Sequence, residues 1–103
     1  MGKAQLIWSE KFTLASGLVR EAVIWRVEKG RHYPEGLKYR LVLVECLSQR
    51  VILLFDNHYP KGHHVHLPDG REVPYAFSSA EILIRDYLSL CAEEERKYAS
   101  KKD

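Results

Sequence analysis

Several features that mark particular classes of protein are scarce in this chain of 103 residues. Its two cysteines, Cys46 and Cys91, lack the spacing of a metal-binding or redox motif, so we expect small apolar thiols in a reducing compartment. No apolar run approaches the roughly 20 residues that a membrane-spanning helix needs. The first residues also lack the apolar core of a signal peptide. We therefore expect a cytoplasmic protein with no membrane partner.

Basic and acidic residues are also nearly equal in number. The formal net charge is +2, which by itself does not indicate a nucleic-acid-binding protein. Hydrophobic residues make up 46% of the chain and charged residues 29%, a balance typical of folded rather than disordered proteins. A chain of this length buries one core. We expect a single domain over residues 1–103, with an ordered core at about 4–97 and a frayed C-terminal tail.

Apolar and polar residues alternate over most of the chain, which predicts strands. Residues 5–14 and 19–27 alternate on either side of a short turn, so we expect a hairpin. Glu10 interrupts the apolar face of the first run, and we expect a bulge or a sheet edge there. Residues 39–46 and 51–55 are apolar on both faces, which predicts central strands. A small hairpin is expected to join residues 64–67 to residues 71–75 across Pro68-Asp69-Gly70.

A helix is predicted after these strands. Ser78-Ser79-Ala80-Glu81 has the pattern of a capping box, and apolar residues at helical spacing follow it. The sequence thus predicts an α+β fold, a curled and mainly antiparallel sheet of five to six strands packed against one long C-terminal helix. One helix covers only one face of a sheet. Unless curling hides the second face, we expect part of it to meet a partner or a second copy in a homodimer.

Four of the five histidines fall in the segment Phe55–His66, which leaves the end of a predicted central strand. Because side chains alternate along an extended chain, His64 and His66 should share a face, while His63 has the parity of the core. Pro60 and Gly62 are residues that bend a chain sharply. Since imidazoles exchange protons near neutral pH, this concentration indicates a site.

The leading interpretation is metal-independent cleavage of RNA, which needs a base for the 2′-hydroxyl, an acid for the leaving oxygen and cations for the phosphate. The bend would bring two further residues towards the histidine pair, so the candidate catalytic residues are His64, His66, His58 and Asp56. The candidate substrate-binding residues are Lys61, Arg71, Arg40, Tyr59, Asn57 and His63. Arg71 is expected to lie across from the histidine pair, and Tyr59 to stack on a base. This interpretation involves no cofactor and no metal.

Two other interpretations stay open at this point. His64 and His66 could begin the site of a metal-dependent hydrolase, with Asp56 or His58 as the third ligand. Alternatively, the histidines are structural in a non-enzymatic partner-binding module, and Asp56 and Asn57 bond to the backbone in a turn.

The order of motifs over residues 4–92 resembles the TumE-type toxins of type II toxin–antitoxin systems. The matching motifs are Val23-Ile24-Trp25-Arg26-Val27, Gly36-Leu37-Lys38-Tyr39-Arg40-Leu41, Phe55-Asp56-Asn57, Lys61-Gly62-His63-His64-Val65-His66, Pro74-Tyr75-Ala76-Phe77 and the helix from Ser78 to Cys91. The resemblance implies a growth-inhibiting protein that is neutralised by an antitoxin, commonly one with a helix-turn-helix domain. It carries no catalytic assignment. It marks Asp56, Asn57, Lys61, His63, His64 and His66 as functional positions.

Overall fold

The computed structural model describes residues 4–101, which form six strands followed by one helix. The elements are β1 (Gln5–Thr13), β2 (Leu18–Arg26), β3 (Leu37–Glu45), β4 (Val51–Asp56), β5 (His64–His66), β6 (Glu72–Pro74) and α1 (Ala80–Lys101). The strands make one antiparallel sheet in the order β1-β2-β3-β4-β5-β6. The predicted α+β class, with its antiparallel sheet and long C-terminal helix, is confirmed.

Short connections explain why each strand pairs with its neighbour in the chain. The turn before β2 is closed by Gly17, whose φ of 93° suits a residue without a side chain. The predicted hairpin of β5 and β6 is also confirmed. Its turn is closed by a hydrogen bond of 2.8 Å from the backbone N–H of Leu67 to the carbonyl oxygen of Arg71. The apolar runs form β3 and β4, which lie at the centre of the sheet as predicted.

The first strand, β1, lies at the edge of the sheet, as the interruption at Glu10 indicated. The bulge, however, falls between Leu6 and Trp8 rather than at Glu10. The Glu10 side chain lies on the helix-facing side, where it forms an ion pair with Arg20 of β2. Arg20 Nε lies 3.2 Å from Glu10 Oε2. The Arg20 guanidinium also lies over the ring of Phe12, 5.1 Å from its centroid.

The helix α1 packs on one face of the sheet through Leu83, Tyr87 and Cys91, all buried in the core. The ring of Tyr87 meets Phe55 edge-on with centroids 6.0 Å apart. Its hydroxyl donates a hydrogen bond of 2.7 Å to the carbonyl oxygen of Val42. These contacts fix the helix against the centre of the sheet, since they anchor it to both β3 and β4.

The N-terminus of α1 differs by one residue from the capping-box pattern. Ser79 is the cap, because its Oγ accepts a hydrogen bond of 3.2 Å from the backbone N–H of Ile82. Ser78 precedes the cap, so Glu81 does not occupy the third helical position that the box requires. The helix continues to Lys101. The expected fraying of the tail stays a prediction, and residues 102–103 lie outside the described residues, as do residues 1–3.

The opposite side of the sheet is not covered by a helix in residues 4–101, and we call it the open face. Its side chains, assigned from the strand register, include Val19, Val23, Trp25, Lys38, Arg40, Val42, Leu54, Asp56, His64, His66 and Glu72. Val19 and Val42 are only 7% and 1% exposed, which indicates that the sheet curls enough for neighbouring side chains to shield them. Among residues 4–101, no helix is both long enough and apolar enough to cross a membrane.

Candidate functional site

Four side chains converge at the β5–β6 end of the open face, and we call them the Glu72 cluster: Lys61, His64, His66 and Glu72. Three nitrogens approach the same carboxylate oxygen, Glu72 Oε1. The distances to this oxygen are 2.8 Å from Lys61 Nζ, 3.0 Å from His66 Nε2 and 4.0 Å from His64 Nε2. The cluster therefore combines two imidazoles, a carboxylate and an ammonium group within reach of one another.

The register of the short hairpin explains this convergence. His66 of β5 lies directly opposite Glu72 of β6, and cross-strand partners place their side chains on the same face. His64 is two residues before His66 and so shares that face. Lys61 is brought back by the turn in the β4–β5 connection, where its backbone N–H donates to the carbonyl oxygen of His58 at 3.1 Å.

A hydrogen bond defines which ring nitrogen of His64 carries a proton. His64 Nδ1 lies 2.8 Å from the carbonyl oxygen of Gly62, which only accepts, so Nδ1 is protonated and Nε2 holds the lone pair of the neutral ring. His66 Nε2 lies 3.0 Å from Glu72 Oε1, an ion-pair contact when the ring is protonated. The two rings lie 5.1 Å apart between centroids, at 75° to one another. His64 is nearly buried, whereas the His66 side chain is 35% exposed.

The charge of Glu72 is set by its neighbours. The hydrogen bond from Lys61 lowers the pKa of Glu72, and the nearby His66 and His64 act in the same direction. Glu72 is thus ionised at neutral pH and supplies the negative charge that Lys61, His66 and His64 surround. Because Lys61 and Glu72 are both exposed, this pair orients side chains more than it stabilises the fold.

A groove of about 320 Å³ lies on the open face over β2, β3 and the end of β4. It is lined by Val23, Trp25, Lys38, Tyr39, Arg40, Asp56 and His58. Asp56 connects the two regions, because it pairs with Arg40 on one side and with His64 on the other. Arg40 is exposed on this face, so the groove presents a cation, an aromatic ring and a carboxylate beside the histidine pair. Of the predicted site residues, Lys61, His64 and His66 thus lie in the Glu72 cluster, and Arg40, Asp56 and His58 line the groove.

Arg71 does not lie across from the histidine pair, and that expectation was wrong. Because it precedes Glu72 by one residue, strand alternation sends its side chain to the helix-facing side. There it lines a groove with Leu90 and Glu93 of α1. Its Nε donates a hydrogen bond of 2.7 Å to Asp69 Oδ2 within the turn.

Asn57 is buried and bonds to the backbone rather than facing the groove. Its Oδ1 accepts from the backbone N–H of Tyr39 at 2.9 Å, and its Nδ2 donates to the carbonyl oxygen of Leu37 at 2.8 Å. Asp56 likewise accepts a hydrogen bond of 2.6 Å from the backbone N–H of His58. These contacts are those expected of the structural interpretation for Asp56 and Asn57.

His63 lies on the helix-facing side, as its parity indicated. Its ring stacks on Phe77 with centroids 4.6 Å apart. Burial raises the pKa of Tyr39, so the Tyr39 hydroxyl stays protonated and donates to His63 Nδ1 at 2.8 Å. His63 Nε2 in turn donates to Glu35 at 3.0 Å. His63 therefore connects the loop before β3 to the hairpin, away from the Glu72 cluster.

Tyr59 also lies outside the cluster. Its ring is half-exposed and stacks on His32, with centroids 3.8 Å apart. Both rings line a pocket of about 220 Å³ in the loops at one end of the sheet, together with Asn57 and His63. A base that stacked on Tyr59 would therefore lie at this pocket and not on the open face.

Two residues of the site were not predicted. Glu72 lies opposite His66 in the hairpin. The expected hairpin of residues 64–67 and 71–75 already implied this pairing, so Glu72 could have been predicted from the sequence. Trp25 was not among the candidate site residues, yet it lines the groove of the open face. The ligand atoms of His64, His66 and Glu72 lie within 4.8 Å of one another, so Glu72 stands where Asp56 or His58 was expected as a third metal ligand.

A scan of protein families identifies a match to a model described as Toxin TumE over residues 3–96. A search of curated proteins finds no match, and a search of solved structures finds none either. Because the match covers most of the chain, it indicates that the protein is a toxin component. The chain is a member of the TumE toxin family, as its motifs indicated. A toxin family implies, in general, an antitoxin partner.

Proposed function

We propose that this protein is the toxin of a type II toxin–antitoxin pair and that it arrests growth by metal-independent cleavage of RNA on its open face. The observation that carries the proposal is the convergence of His64 and His66 on one oxygen of Glu72. Two imidazoles held at 5.1 Å between centroids can both reach a single phosphodiester group.

His64 is the base in this proposal and His66 the acid. The Gly62 carbonyl fixes the His64 tautomer, so that Nε2 is free to take the proton of a 2′-hydroxyl. The imidazolium formed in that step lies next to the Glu72 carboxylate, which stabilises it. His66 acts as an imidazolium beside the Glu72 carboxylate, 3.0 Å away, and delivers a proton from its second ring nitrogen to the leaving oxygen. Asp56 is the cross-strand neighbour of His64, and Asp56 and His58 both line the groove on the open face.

Lys61, Arg40 and Lys38 supply cations for the phosphates. Lys61 is in the cluster itself, and the other two line the groove on the open face. Trp25 presents an aromatic ring in the same groove, on which an unpaired base can stack. Single-stranded RNA running along the open face would therefore place one phosphate at the histidine pair.

The antitoxin, a protein with a helix-turn-helix domain in this proposal, would neutralise the toxin by covering the open face. A cover over Trp25 and Arg40 would exclude RNA from the groove without altering the fold. We place both proteins in the cytoplasm, where the RNA substrate is found. A homodimer stays a prediction, for which the exposed edge strand β1, with Leu6 and Phe12 each about half exposed, offers a surface.

The proposal is tested by growth arrest after induction of the toxin in the absence of antitoxin. His64→Asn keeps an amide donor for the Gly62 carbonyl but removes the base, and His66→Ala removes the acid. Each variant, and the double variant, should abolish growth arrest. His32→Ala, a histidine outside the cluster, is the matched control and should remain toxic.

Circular dichroism and thermal unfolding of the purified variants separate loss of function from loss of fold. The proposal expects folded, non-toxic variants at positions 64 and 66. Full toxicity of the folded double variant would contradict catalysis by these residues and would favour a non-enzymatic partner-binding module with structural histidines.

A further inference from the structure

We propose that His64, His66 and Glu72 form a binding site for a divalent transition-metal ion of the zinc class, and that occupation of this site switches the toxin off. The metal binding follows from the geometry of the three side chains. Its inhibitory consequence rests on the proposed function, because the ion would take the atoms that move protons.

The donor set is the one that zinc prefers when three protein ligands hold it. Two imidazole nitrogens and one carboxylate oxygen bind zinc at about 2.0–2.2 Å, and tetrahedral geometry then separates the ligand atoms by about 3.3 Å. In the cluster, His66 Nε2 and His64 Nε2 lie 3.0 and 4.0 Å from Glu72 Oε1. All three ligand atoms lie within 4.8 Å of one another. Small side-chain rotations suffice to close them around an ion.

The surroundings orient these ligands correctly. The hydrogen bond of 2.8 Å from His64 Nδ1 to the Gly62 carbonyl turns the lone pair of Nε2 towards the cluster. A backbone carbonyl that binds the other ring nitrogen is the usual support of a metal-bound histidine. The side chains of His66 and Glu72 are each 35% exposed, so an ion can enter from the open face.

Lys61 competes with the ion for Glu72. Its Nζ lies 2.8 Å from Oε1 and 3.2 Å from Oε2, and a metal that takes Oε1 must displace it from that oxygen. The ammonium group thus acts as an internal cation that weakens metal binding. This suits a site that fills only when the concentration of free metal rises, rather than one with a permanent structural metal.

Metal binding and proton transfer exclude one another at this site. A bound ion occupies the lone pair of His64 Nε2, which is the proposed base, and it replaces the proton on His66 Nε2, which is released to solvent. The imidazoles can then neither accept nor deliver a proton. Zinc is therefore expected to inhibit RNA cleavage, and a chelator is expected to restore it.

The test uses the full chain purified without a histidine tag. Co²⁺ is titrated as a spectroscopic probe, since tetrahedral Co²⁺ gives strong visible absorption, and Zn²⁺ binding is measured by calorimetry. We expect one ion per chain. His66→Ala and Glu72→Gln should each weaken binding by roughly 100-fold or more, because they remove a ligand. The control His32→Ala should bind as the original chain does.

Lys61→Met separates this site from accidental binding. Removal of the competing charge should tighten Co²⁺ binding by roughly fivefold, whereas a site elsewhere would not respond. Absence of a tetrahedral Co²⁺ spectrum, unchanged binding in Glu72→Gln, or equal affinity in Lys61→Met would each overturn the proposal. Stoichiometric zinc binding that leaves RNA cleavage at full rate would overturn the inhibitory role. Metal binding by a chain that cuts no RNA would contradict the proposed function but leave the metal site standing.

Discussion

At the scale of single residues, the segment Phe55–His66 divides between structure and chemistry. Asn57 forms hydrogen bonds with the backbone of Tyr39 and Leu37. His63 forms hydrogen bonds with the side chains of Tyr39 and Glu35. Since buried polar groups need such partners, these two residues hold the loops in place. His64 and His66 instead face a shared acceptor on the open face, which leaves ring nitrogens available for proton transfer.

Asn57→Ala should destabilise the fold although the residue lies beside the proposed site. The substitution leaves the backbone N–H of Tyr39 and the carbonyl oxygen of Leu37 without their partner, at a cost of about 2–3 kcal/mol. Urea denaturation measures the change. The exposed neighbour His58→Ala is the control and should change stability by less than about 0.5 kcal/mol. Equal stability of the two variants would contradict the structural role of Asn57.

The two thiols should differ sharply in reactivity. Burial raises the pKa of the Cys91 thiol to about 12, and Cys91 is only 1% exposed. Cys46 is exposed on the surface. A thiol reagent at neutral pH should therefore modify one cysteine per folded chain and two after denaturation, as counted by mass spectrometry. Modification of Cys91 in the folded chain at the rate of Cys46 would show that the packing of α1 is wrong.

At the scale of elements, α1 begins where Ser79 supplies a hydrogen-bond acceptor. Ser79→Ala should cost about 1 kcal/mol, because the backbone N–H of Ile82 loses its partner. Ser78→Ala is a matched control one residue earlier and should be nearly neutral. Thermal unfolding of both variants checks the assignment. A larger loss of stability for Ser78→Ala than for Ser79→Ala would contradict this assignment and support the capping box predicted from the sequence.

Most elements follow from the sequence because one physical rule dominates each of them. Alternation predicts β1 and β2, continuous apolar runs predict β3 and β4, and helical spacing predicts α1. The bulge at Leu6–Trp8 was not predictable, since no residue there breaks the pattern as Glu10 does. Arg71 was misplaced because its position on the partner arm of the hairpin suggested that it lies across from the histidines, whereas strand alternation decides which face its side chain takes.

At the scale of the whole molecule, α1 covers one face of the sheet, and the open face is available for the proposed function. The imbalance between six strands and one helix could be read from the sequence, but the position of the groove could not. It depends on the exact register of β2, β3 and β4, which places Trp25, Arg40 and Asp56 along one groove. The histidine segment was predicted as the site. Glu72, which lies at the centre of the cluster, could be found only by working out the register of the hairpin.

The central claim is that two histidines on the open face move protons during RNA cleavage, and the most direct test is cleavage by the purified chain in the presence of a chelator. We predict that it cuts RNA to products with 2′,3′-cyclic phosphate ends and leaves RNA with 2′-deoxy sugars intact. His66→Ala should lower the rate by roughly 100-fold or more while the chain stays folded. Equal cleavage of the 2′-deoxy substrate, or an undiminished rate in His66→Ala, would contradict the claim.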